Sequence, residues 1–279
     1  MTSNGAHDSP AGTAEPAEID TSVAHAARVY DYLLGGRANF KVDRELAERA
    51  YAARPGGIEG ARAGVRDHRA TLGRLVRYCV REAGITQFLD IGTGIPKENN
   101  VHEVAQRETA DARVVYVDKD PVVLAHAHQL LRGTPEGTVK YAYGDLNDPQ
   151  PILREAGTIL DFSHPVAVML FGILHFFSDA DDPRRLIHQL MAPLPAGSCL
   201  AITHLASDVH GGQIAEMANR LNSRLAETVT LRTHDEVAAL LDGLDLVEPG
   251  VVQITEWHPD PGITAAASAM WVGVGRKTG

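Results

Sequence analysis

A glycine-rich turn directly after an apolar segment is the pattern with the clearest chemical meaning in this sequence. Residues 88–96 read FLDIGTGIP, so an apolar strand ends in Asp90 and then breaks at Gly92 and Gly94. Glycines can adopt positive φ and let a ligand approach the backbone, which is typical of nucleotide sites. Pro96 stands in place of the third glycine of the dinucleotide fingerprint, and it lacks the N–H that a pyrophosphate needs. The pattern therefore favours S-adenosylmethionine, which has no phosphate, over NAD.

Two further acids close the next predicted strands. Asp118 ends the segment 113–118, and Gly144 with Asp145 ends the strand that begins near Val139. Ligands of open parallel sheets bind outside the carboxyl ends of the strands, so we expect these acids to lie near the glycine turn. A carboxylate at Asp118 can accept hydrogen bonds from a ribose diol, and one at Asp145 can accept from an adenine amino group. The three strand ends together predict a site for an adenosyl group.

Histidines after the following two strands are candidates for proton transfer. His175 follows the apolar segment 165–171, and His204 comes after the segment 198–203. Since histidine titrates near neutral pH, either can serve as a general base towards a protonated methyl acceptor. The alternative is that both are structural and that alignment alone drives methyl transfer.

The order of the predicted elements indicates the fold class. Apolar strands and amphipathic helices alternate five times, which predicts a parallel sheet with helices on both faces. Two last strands, at 251–256 and 269–274, are joined by a short link and should form an antiparallel hairpin. We expect a Rossmann-like α/β fold with a mostly parallel seven-stranded sheet and a C-terminal antiparallel hairpin. This is the architecture of class I methyltransferases, whereas a dehydrogenase would continue in parallel.

The part of the chain before the first strand is predicted to be helical. A helix from about Ser22 should stop at the glycine pair 35–36, and Asp43 can cap a second helix. The glycine-rich residues 54–64 predict a loop or a frayed turn, and a strong amphipathic helix through Leu72 follows.

These signals divide the chain into three parts: a disordered tail at 1–18, a helical lid with the first core helix at 19–84, and a cofactor-binding core at 85–279. The lid itself, residues 22–40, concentrates aromatic and polar side chains ahead of the sheet. The alternative is an ordinary helix packed on the sheet.

Composition limits the class of partner. The chain has 279 residues, 44% hydrophobic residues and a formal net charge of −10, which argues against non-specific binding to nucleic acid or anionic membranes. No apolar run approaches the roughly 20 residues that a membrane span needs. Cys79 and Cys199 lie in apolar segments without a CxxC pair, which predicts reduced thiols in a cytoplasmic protein and no metal site. The oligomeric state is left open.

Several longer strings match a known family in the same order along the chain. They are RVYDYLLGG at 28–36, QFLDIGTGIP at 87–96, NVHEVA at 100–105, VYVDKDPVVLAH at 115–126 and LHF at 174–176. From about residue 20 onward the sequence resembles an actinobacterial family of S-adenosylmethionine-dependent methyltransferases, known as the S-adenosyl methyltransferase family or domain of unknown function 574. The resemblance implies a class I methyltransferase fold and S-adenosylmethionine as cofactor. It does not supply the methyl acceptor.

The matching strings and the strand ends together define one set of candidate residues. The candidate cofactor contacts are Tyr32, Asp90, Gly92, Gly94, Asn100, His102, Asp118, Lys119, Gly144, Asp145, Leu146 and Phe171. Within this set, His102 is expected to contact the methionine portion of the cofactor. The candidate catalytic residues are His175 and His204.

The leading hypothesis is a methyltransferase acting on a small molecule. A second hypothesis is a non-catalytic protein that binds S-adenosylmethionine or S-adenosylhomocysteine, because the predicted binding residues do not require turnover. A third is an NAD(P)-dependent oxidoreductase, against which Pro96, the terminal hairpin and the lack of a Tyr-x-x-x-Lys pair all count.

Overall fold

A mixed eight-stranded sheet forms the centre of the part of the chain described by the computed structural model, residues 20–130, 132–262 and 267–279. The predicted tail at 1–18 lies outside these residues. The strands are β1 Gln87–Ile91, β2 Arg113–Asp118, β3 Thr138–Tyr143, β4 Ala167–Phe171, β5 Cys199–Leu205, β6 Asp245–Leu246, β7 Val252–Gln253 and β8 Met270–Arg276. Their order is β3-β2-β1-β4-β5-β8-β6, with β7 also paired to β8.

The strand directions confirm the predicted architecture. Strands β1 to β5 are parallel, and β8 runs antiparallel to β5, β6 and β7. Val252 of β7 pairs with Val272 of β8, which is the predicted antiparallel contact. The strand count differs from the predicted seven because β6 was not predicted. Two residues are too short to leave a periodic pattern in a sequence.

The helices cover both faces of the sheet and one of its rims. They are α1 Ala26–Leu33, α2 Lys41–Tyr51, α3 Gly57–Arg81, α4 Val101–Glu108, α5 Pro121–Leu130, α6 Pro149–Ala156, α7 Pro183–Met191, α8 Gly212–Asn222 and α9 His234–Ala239. The loop predicted at 54–64 is wrong, because α3 begins at Gly57. Packing of the fully buried Ala61 offsets the low helix propensity of the glycines in this segment. None of the described helices is long and apolar enough to cross a membrane.

Two hydrophobic layers sandwich the sheet. Adjacent strand residues point to opposite faces, so Phe88 packs against α3 and α4 while Leu89 packs on the side of α6 and α7. Both side chains are fully buried. The sheet is therefore covered on both faces, as its continuous apolar strands predict.

A third cluster joins α1, α2 and α8 beside the sheet, and we call these three helices the cap. Val29 of α1, Leu46 of α2, and Ile214 and Met217 of α8 meet in it. Helix α8 belongs by sequence to the predicted core at 85–279, yet it packs with the N-terminal helices. The cap thus combines two helices that precede the sheet with a helix that lies between β5 and β6 in the chain.

A buried ion pair joins the first two helices of the cap. Arg28 Nε lies 3.2 Å from Asp43 Oδ1, and the two side chains are 1% and 0% exposed. Asp43 also accepts hydrogen bonds from the backbone N–H groups of His25 at 3.1 Å and Phe40 at 2.8 Å. Asp43 therefore organises both helix entries as well as neutralising Arg28.

We expect Asp43→Asn to lower the free energy of unfolding by about 3–5 kcal/mol, because Arg28 would stay buried without a counter-charge. Urea denaturation measures this loss. Glu45→Gln is the control, since it breaks an exposed pair with Lys41 (side chains 82% and 55% exposed) on the same helix. The control should cost less than about 1 kcal/mol. Equal losses in the two variants would contradict the assignment.

Candidate functional site

A cavity of about 370 Å³ lies at the carboxyl ends of β1 and β4, where the strand order reverses. The strand ends line one part of it, α3 lines a second part, and α1 and α8 of the cap line a third. Open α/β sheets bind their ligands at such a reversal point. The sheet and the cap together therefore enclose the candidate site.

The glycine turn has the conformation that its sequence predicts. Gly92 and Gly94 have φ of 76° and 62°, values that favour glycine. A Cβ at Gly92 would overlap Ile173, whereas a Cβ at Gly94 would meet no atom within 4 Å. Gly92 is thus required for packing, and Gly94 leaves the backbone open towards the cavity.

Asp118 ties this turn to the end of β2. Its Oδ2 accepts a hydrogen bond from the Gly94 N–H at 2.9 Å, and its Oδ1 accepts from the Asp120 N–H at 2.9 Å. Burial raises the pKa of Asp118, and these backbone hydrogen bonds act in the opposite direction. The carboxylate lines the cavity with lone pairs still available to a ligand.

The end of β3 contributes the next group of predicted residues. Gly144, Asp145 and Leu146 all line the cavity together with Lys119. Lys119 Nζ lies 3.6 Å from Asp145 Oδ2. A Cβ at Gly144 would lie 2.7 Å from side-chain atoms of Val117, so only glycine fits this corner.

Asp90 differs from the other acids because no described residue forms a hydrogen bond or ion pair with its carboxyl group. The residue is 7% exposed and lines the cavity. Burial raises the pKa of Asp90 to about 7, which Arg69 opposes and Asp118 reinforces. A buried carboxyl group without a partner is suited to receive a polar or cationic part of a ligand.

Three predicted cofactor contacts lie away from the cavity. Tyr32 turns towards α2, where its hydroxyl contacts Glu48. Asn100 caps α4, and its Oδ1 accepts a hydrogen bond from the Lys97 N–H at 3.1 Å. His102 is 2% exposed, and its Nδ1 lies 2.8 Å from the Tyr116 hydroxyl. All three side chains are committed to packing or capping the fold.

His204 is likewise a structural residue, contrary to its predicted catalytic role. Arg232 Nη1 donates to Nε2 of His204 at 2.8 Å, so its Nδ1 carries the proton and donates to the Leu205 carbonyl at 2.9 Å. The side chain is fully buried, does not line the cavity, and burial lowers its pKa to about 4. Both ring nitrogens are occupied, which leaves none for a substrate proton.

His175 does line the cavity. Its Nδ1 is buried without a hydrogen-bond partner among the described residues. Burial lowers the pKa of His175 well below its usual value, and the neighbouring His204 acts in the same direction. Of the two predicted catalytic histidines, only His175 lines the cavity, and it has a ring nitrogen without a hydrogen-bond partner among the described residues.

A third histidine escapes the sequence-based selection. His68 of α3 lines the cavity, stacks on the predicted contact Phe171 with ring centroids 4.8 Å apart, and lies 2.9 Å through Nδ1 from the Tyr30 hydroxyl. Its Nε2 lies 2.8 Å from the Thr203 hydroxyl. His68 lies four residues before Leu72, on the same face of one helix, and this spacing is the signal that could have selected it. The predicted loop at 54–64 shortens that helix and so obscures the signal.

Comparison with known proteins identifies the family of this chain. The S-adenosyl methyltransferase family model matches residues 12–278. The chain belongs to the S-adenosyl methyltransferase family. It is 40% identical to a protein of the domain of unknown function 574 from Streptomyces avermitilis, with 93% of this chain and 99% of that chain covered and a TM-score of 0.85. A proposed methyltransferase from Thermobifida fusca is also 40% identical, covers 93% of this chain and 97% of that chain, and has a TM-score of 0.84.

More distant methyltransferases share the fold. The mitomycin 7-O-methyltransferase is 18% identical, covers 90% of this chain and 68% of that chain, and has a TM-score of 0.50. No curated protein matches the chain significantly. Membership of the family establishes an S-adenosylmethionine-dependent methyltransferase and removes the NAD(P) oxidoreductase alternative.

The raised pKa of Asp90 predicts that replacing its carboxyl group stabilises the fold, by an amount that depends on pH. The group ionises near pH 3.8 in the unfolded chain and at about 7 in the fold, so its charge destabilises the fold increasingly as pH rises from 4 to 7. We expect Asp90→Asn to raise the unfolding free energy by up to about 4 kcal/mol at pH 8 and by little at pH 4.

Chemical denaturation of the ligand-free protein at both pH values tests this expectation. Asp111→Asn is the exposed control: a hydrogen bond from Thr109 lowers the pKa of Asp111, so this variant should not gain stability between pH 4 and pH 8. A gain for Asp90→Asn that is equal at pH 4 and pH 8 would rule out the assigned pKa shift.

Proposed function

We propose that this family member transfers a methyl group from S-adenosylmethionine to a small molecule bound in the same cavity. The supporting observation is that one cavity joins the acidic strand ends to an apolar compartment under the cap. Val29, Ile214, Met217, Leu221 and Val229 line that compartment. The adenosyl group needs the acids, which leaves the apolar compartment for the acceptor.

The residues at the strand ends fit the cofactor group by group. Asp118 can accept hydrogen bonds from the ribose diol, and Asp145 can accept from the adenine amino group. Asp90, which has no partner among the described residues, is suited to the ammonium group of the methionine portion. The open space above Gly94 lets the ligand approach the backbone.

Bound S-adenosylmethionine supplies an electrophilic methyl group on a sulfonium, so the residues of the chain chiefly align the acceptor and exclude water. Tyr30, held by His68, can orient a polar group of the acceptor. His175 stays neutral at neutral pH because burial lowers its pKa, and its unpartnered Nδ1 can take a proton from the acceptor.

The nature of the acceptor is inferred from charge and cavity shape. An enclosed apolar compartment suits a small molecule, and the formal net charge of −10 disfavours nucleic acid. A cytoplasmic location stays a prediction from the reduced thiols.

We further propose that α1 and the following residues to Phe40 act as a lid. Ala26, Val29 and Tyr30 of α1 line the cavity. Lys97, which follows the glycine turn, forms an ion pair with Asp31, a fully buried side chain at the end of α1. This pair, which we call the latch, links the lid to the loop beside the cofactor.

Ligand binding tests the cofactor site. S-adenosylhomocysteine should raise the melting temperature, and NADH should not. We expect Asp118→Ala to weaken S-adenosylhomocysteine binding by about 1.5–3 kcal/mol in calorimetric titration, the usual scale for hydrogen bonds to a charged group.

Asp161→Ala is the matched control. Asp161 Oδ1 accepts a hydrogen bond from the N–H two residues later, as Asp118 Oδ1 does, but it lies on an exposed loop. Stabilisation by NADH instead of S-adenosylhomocysteine would overturn the proposed site, and unchanged affinity in Asp118→Ala would remove its ribose role.

Replacing both charged residues of the latch by neutral ones tests whether the lid retains the ligand. In the double variant Asp31→Asn/Lys97→Gln, no charge is left buried alone, so the ligand-free stability should change little. We expect the dissociation rate of S-adenosylhomocysteine, measured by stopped flow, to rise about tenfold. Arg81→Gln/Glu108→Gln, which removes an ion pair between α3 and α4, should leave the rate unchanged. An unchanged rate in both double variants would show that the latch does not retain the ligand.

A further inference from the structure

Unpartnered nitrogen atoms concentrate at the cavity. Three buried side-chain nitrogens among the described residues have no hydrogen-bond partner: Arg54 Nε, His175 Nδ1 and Trp257 Nε1. Two of the three, those of Arg54 and His175, belong to residues that line the cavity. The proposed mechanism uses His175, and it leaves Arg54 without a role.

Arg54, which is half-buried, contrasts with the buried arginines of the fold. Arg28 is paired with Asp43, Arg74 donates to the backbone carbonyls of Ile254 and Trp257, and Arg232 donates to Asp179 and His204. The guanidinium of Arg54 forms no ion pair or hydrogen bond with any residue that the structure describes. Burial lowers the pKa of Arg54, and Tyr51 is the one titratable group that opposes this effect. A cation held in this way is stabilised if a ligand brings the missing anion.

The chain makes room for this guanidinium. Arg54 lies in the link between α2 and α3, and its planar group faces Gly64 of α3. A Cβ at Gly64 would lie 3.3 Å from both Nη1 and Nη2 of Arg54. The hydroxyl-bearing Tyr51 lines the cavity beside it. A planar fork and a phenol together suit a carboxylate, which accepts two parallel hydrogen bonds from an arginine.

Arg54 and the loop after the glycine turn contact different parts of α3. Gly64 precedes Arg69 by five residues on α3, a distance of about 7 Å along the helix axis. Arg69 Nη2 donates to the carbonyls of Glu98 and Asn99 in the loop after the glycine turn, both at 2.9 Å, so Arg69 marks the cofactor end. Tyr30 and apolar residues of α8 line the same cavity.

The carboxylates around the cavity are placed elsewhere. Asp90, Asp118 and Asp145 end strands at the cofactor side, and Glu227 is held by the Ala26 N–H at 3.1 Å and His25 at 3.5 Å. Asp120 and Asp181 accept hydrogen bonds from backbone N–H groups close to them in the chain. The cavity lining is therefore acidic at the strand ends, apolar at α1 and α8, and cationic at Arg54.

We propose that Arg54 binds a carboxylate of the methyl acceptor, so that the acceptors are apolar organic acids. The inference rests on the proposed function and adds the substrate class. Arg54 and Tyr51 hold the acid group, and the apolar walls from α1 and α8 hold the carbon skeleton. The carboxylate of the cofactor's methionine portion is the other source of the same chemistry, and the experiment separates the two.

The test uses the full chain saturated with S-adenosylhomocysteine and a set of ring carboxylic acids paired with their primary amides, such as 2-naphthoate and 2-naphthamide. Calorimetry measures the dissociation constants for the wild type, Arg54→Gln and the control Arg66→Gln, an exposed residue of α3. At least one acid should bind about ten- to a hundredfold more tightly than its amide to the wild type and to Arg66→Gln. This ratio should fall to about one in Arg54→Gln.

A second set of measurements keeps the result interpretable. Arg54→Gln should bind S-adenosylhomocysteine within twofold of the wild type, and its ligand-free melting temperature should equal or exceed the wild-type value because a buried unpaired charge is removed. A tenfold loss of S-adenosylhomocysteine affinity would assign Arg54 to the cofactor and overturn the proposal. So would the absence of any acid-selective pair, or a preference for acids that survives in Arg54→Gln. Failure of the wild type to bind S-adenosylhomocysteine would instead refute the proposed function.

Discussion

The hydrogen bond from the Gly94 N–H to the Asp118 carboxylate determines the shape of the cofactor end of the site. It joins the turn after β1 to the end of β2, and the other oxygen of Asp118 holds the start of the loop that leads to α5. One acid therefore fixes two neighbouring strand ends before any ligand is present. Because these loops are ordered before binding, a ligand that fits between them pays a smaller entropic cost.

The rest of the cavity depends on charges that are buried inside the protein. Asp43 neutralises Arg28 between α1 and α2, Asp31 neutralises Lys97 across the latch, and Arg232 is shared between His204 and Asp179. Each of these groups has a partner within the fold. Asp90 and Arg54 have no such partner among the described residues, and both line the cavity, where ligand groups can complete them. This contrast separates the charges that stabilise the fold from those available for binding.

The sequence predicted most of the sheet and the acids at its strand ends, because these rest on local rules. Apolar runs predict strands, and parallel strands bring their carboxyl ends to one rim. Asp120 at α5 and Asp182 at α7 follow the same kind of local rule, since each cap residue stands directly before the proline that opens its helix. The failures arise where tertiary packing overrides local preference. Glycines at 56–64 predict a loop, but α3 is held against the rest of the fold by Ala61.

The direction of a side chain was the other quantity that the sequence did not reveal. Tyr30 and Tyr32 are two residues apart on α1 and therefore point to nearly opposite sides, and only Tyr30 reaches the cavity. Thr203 and His204 are adjacent on β5, so Thr203 contacts His68 and His204 points to Arg232. Motif matching selects the right segment in both cases. To choose between nearby residues of one segment, one must know which face of the helix or strand packs against the cavity.

The position of β8 has a consequence for the order in which the fold is completed. This strand lies between β5 and β6, and it pairs with β5 along seven residues. Until residues 270–276 have been synthesised, β5 is an edge strand with a free row of backbone donors and acceptors. Such an edge can pair with another chain and is a hazard during synthesis. β5, the strand beside the candidate methyl-acceptor pocket, therefore keeps an unpaired edge until β8 has left the ribosome. Of the eight described strands, β8 is synthesised last.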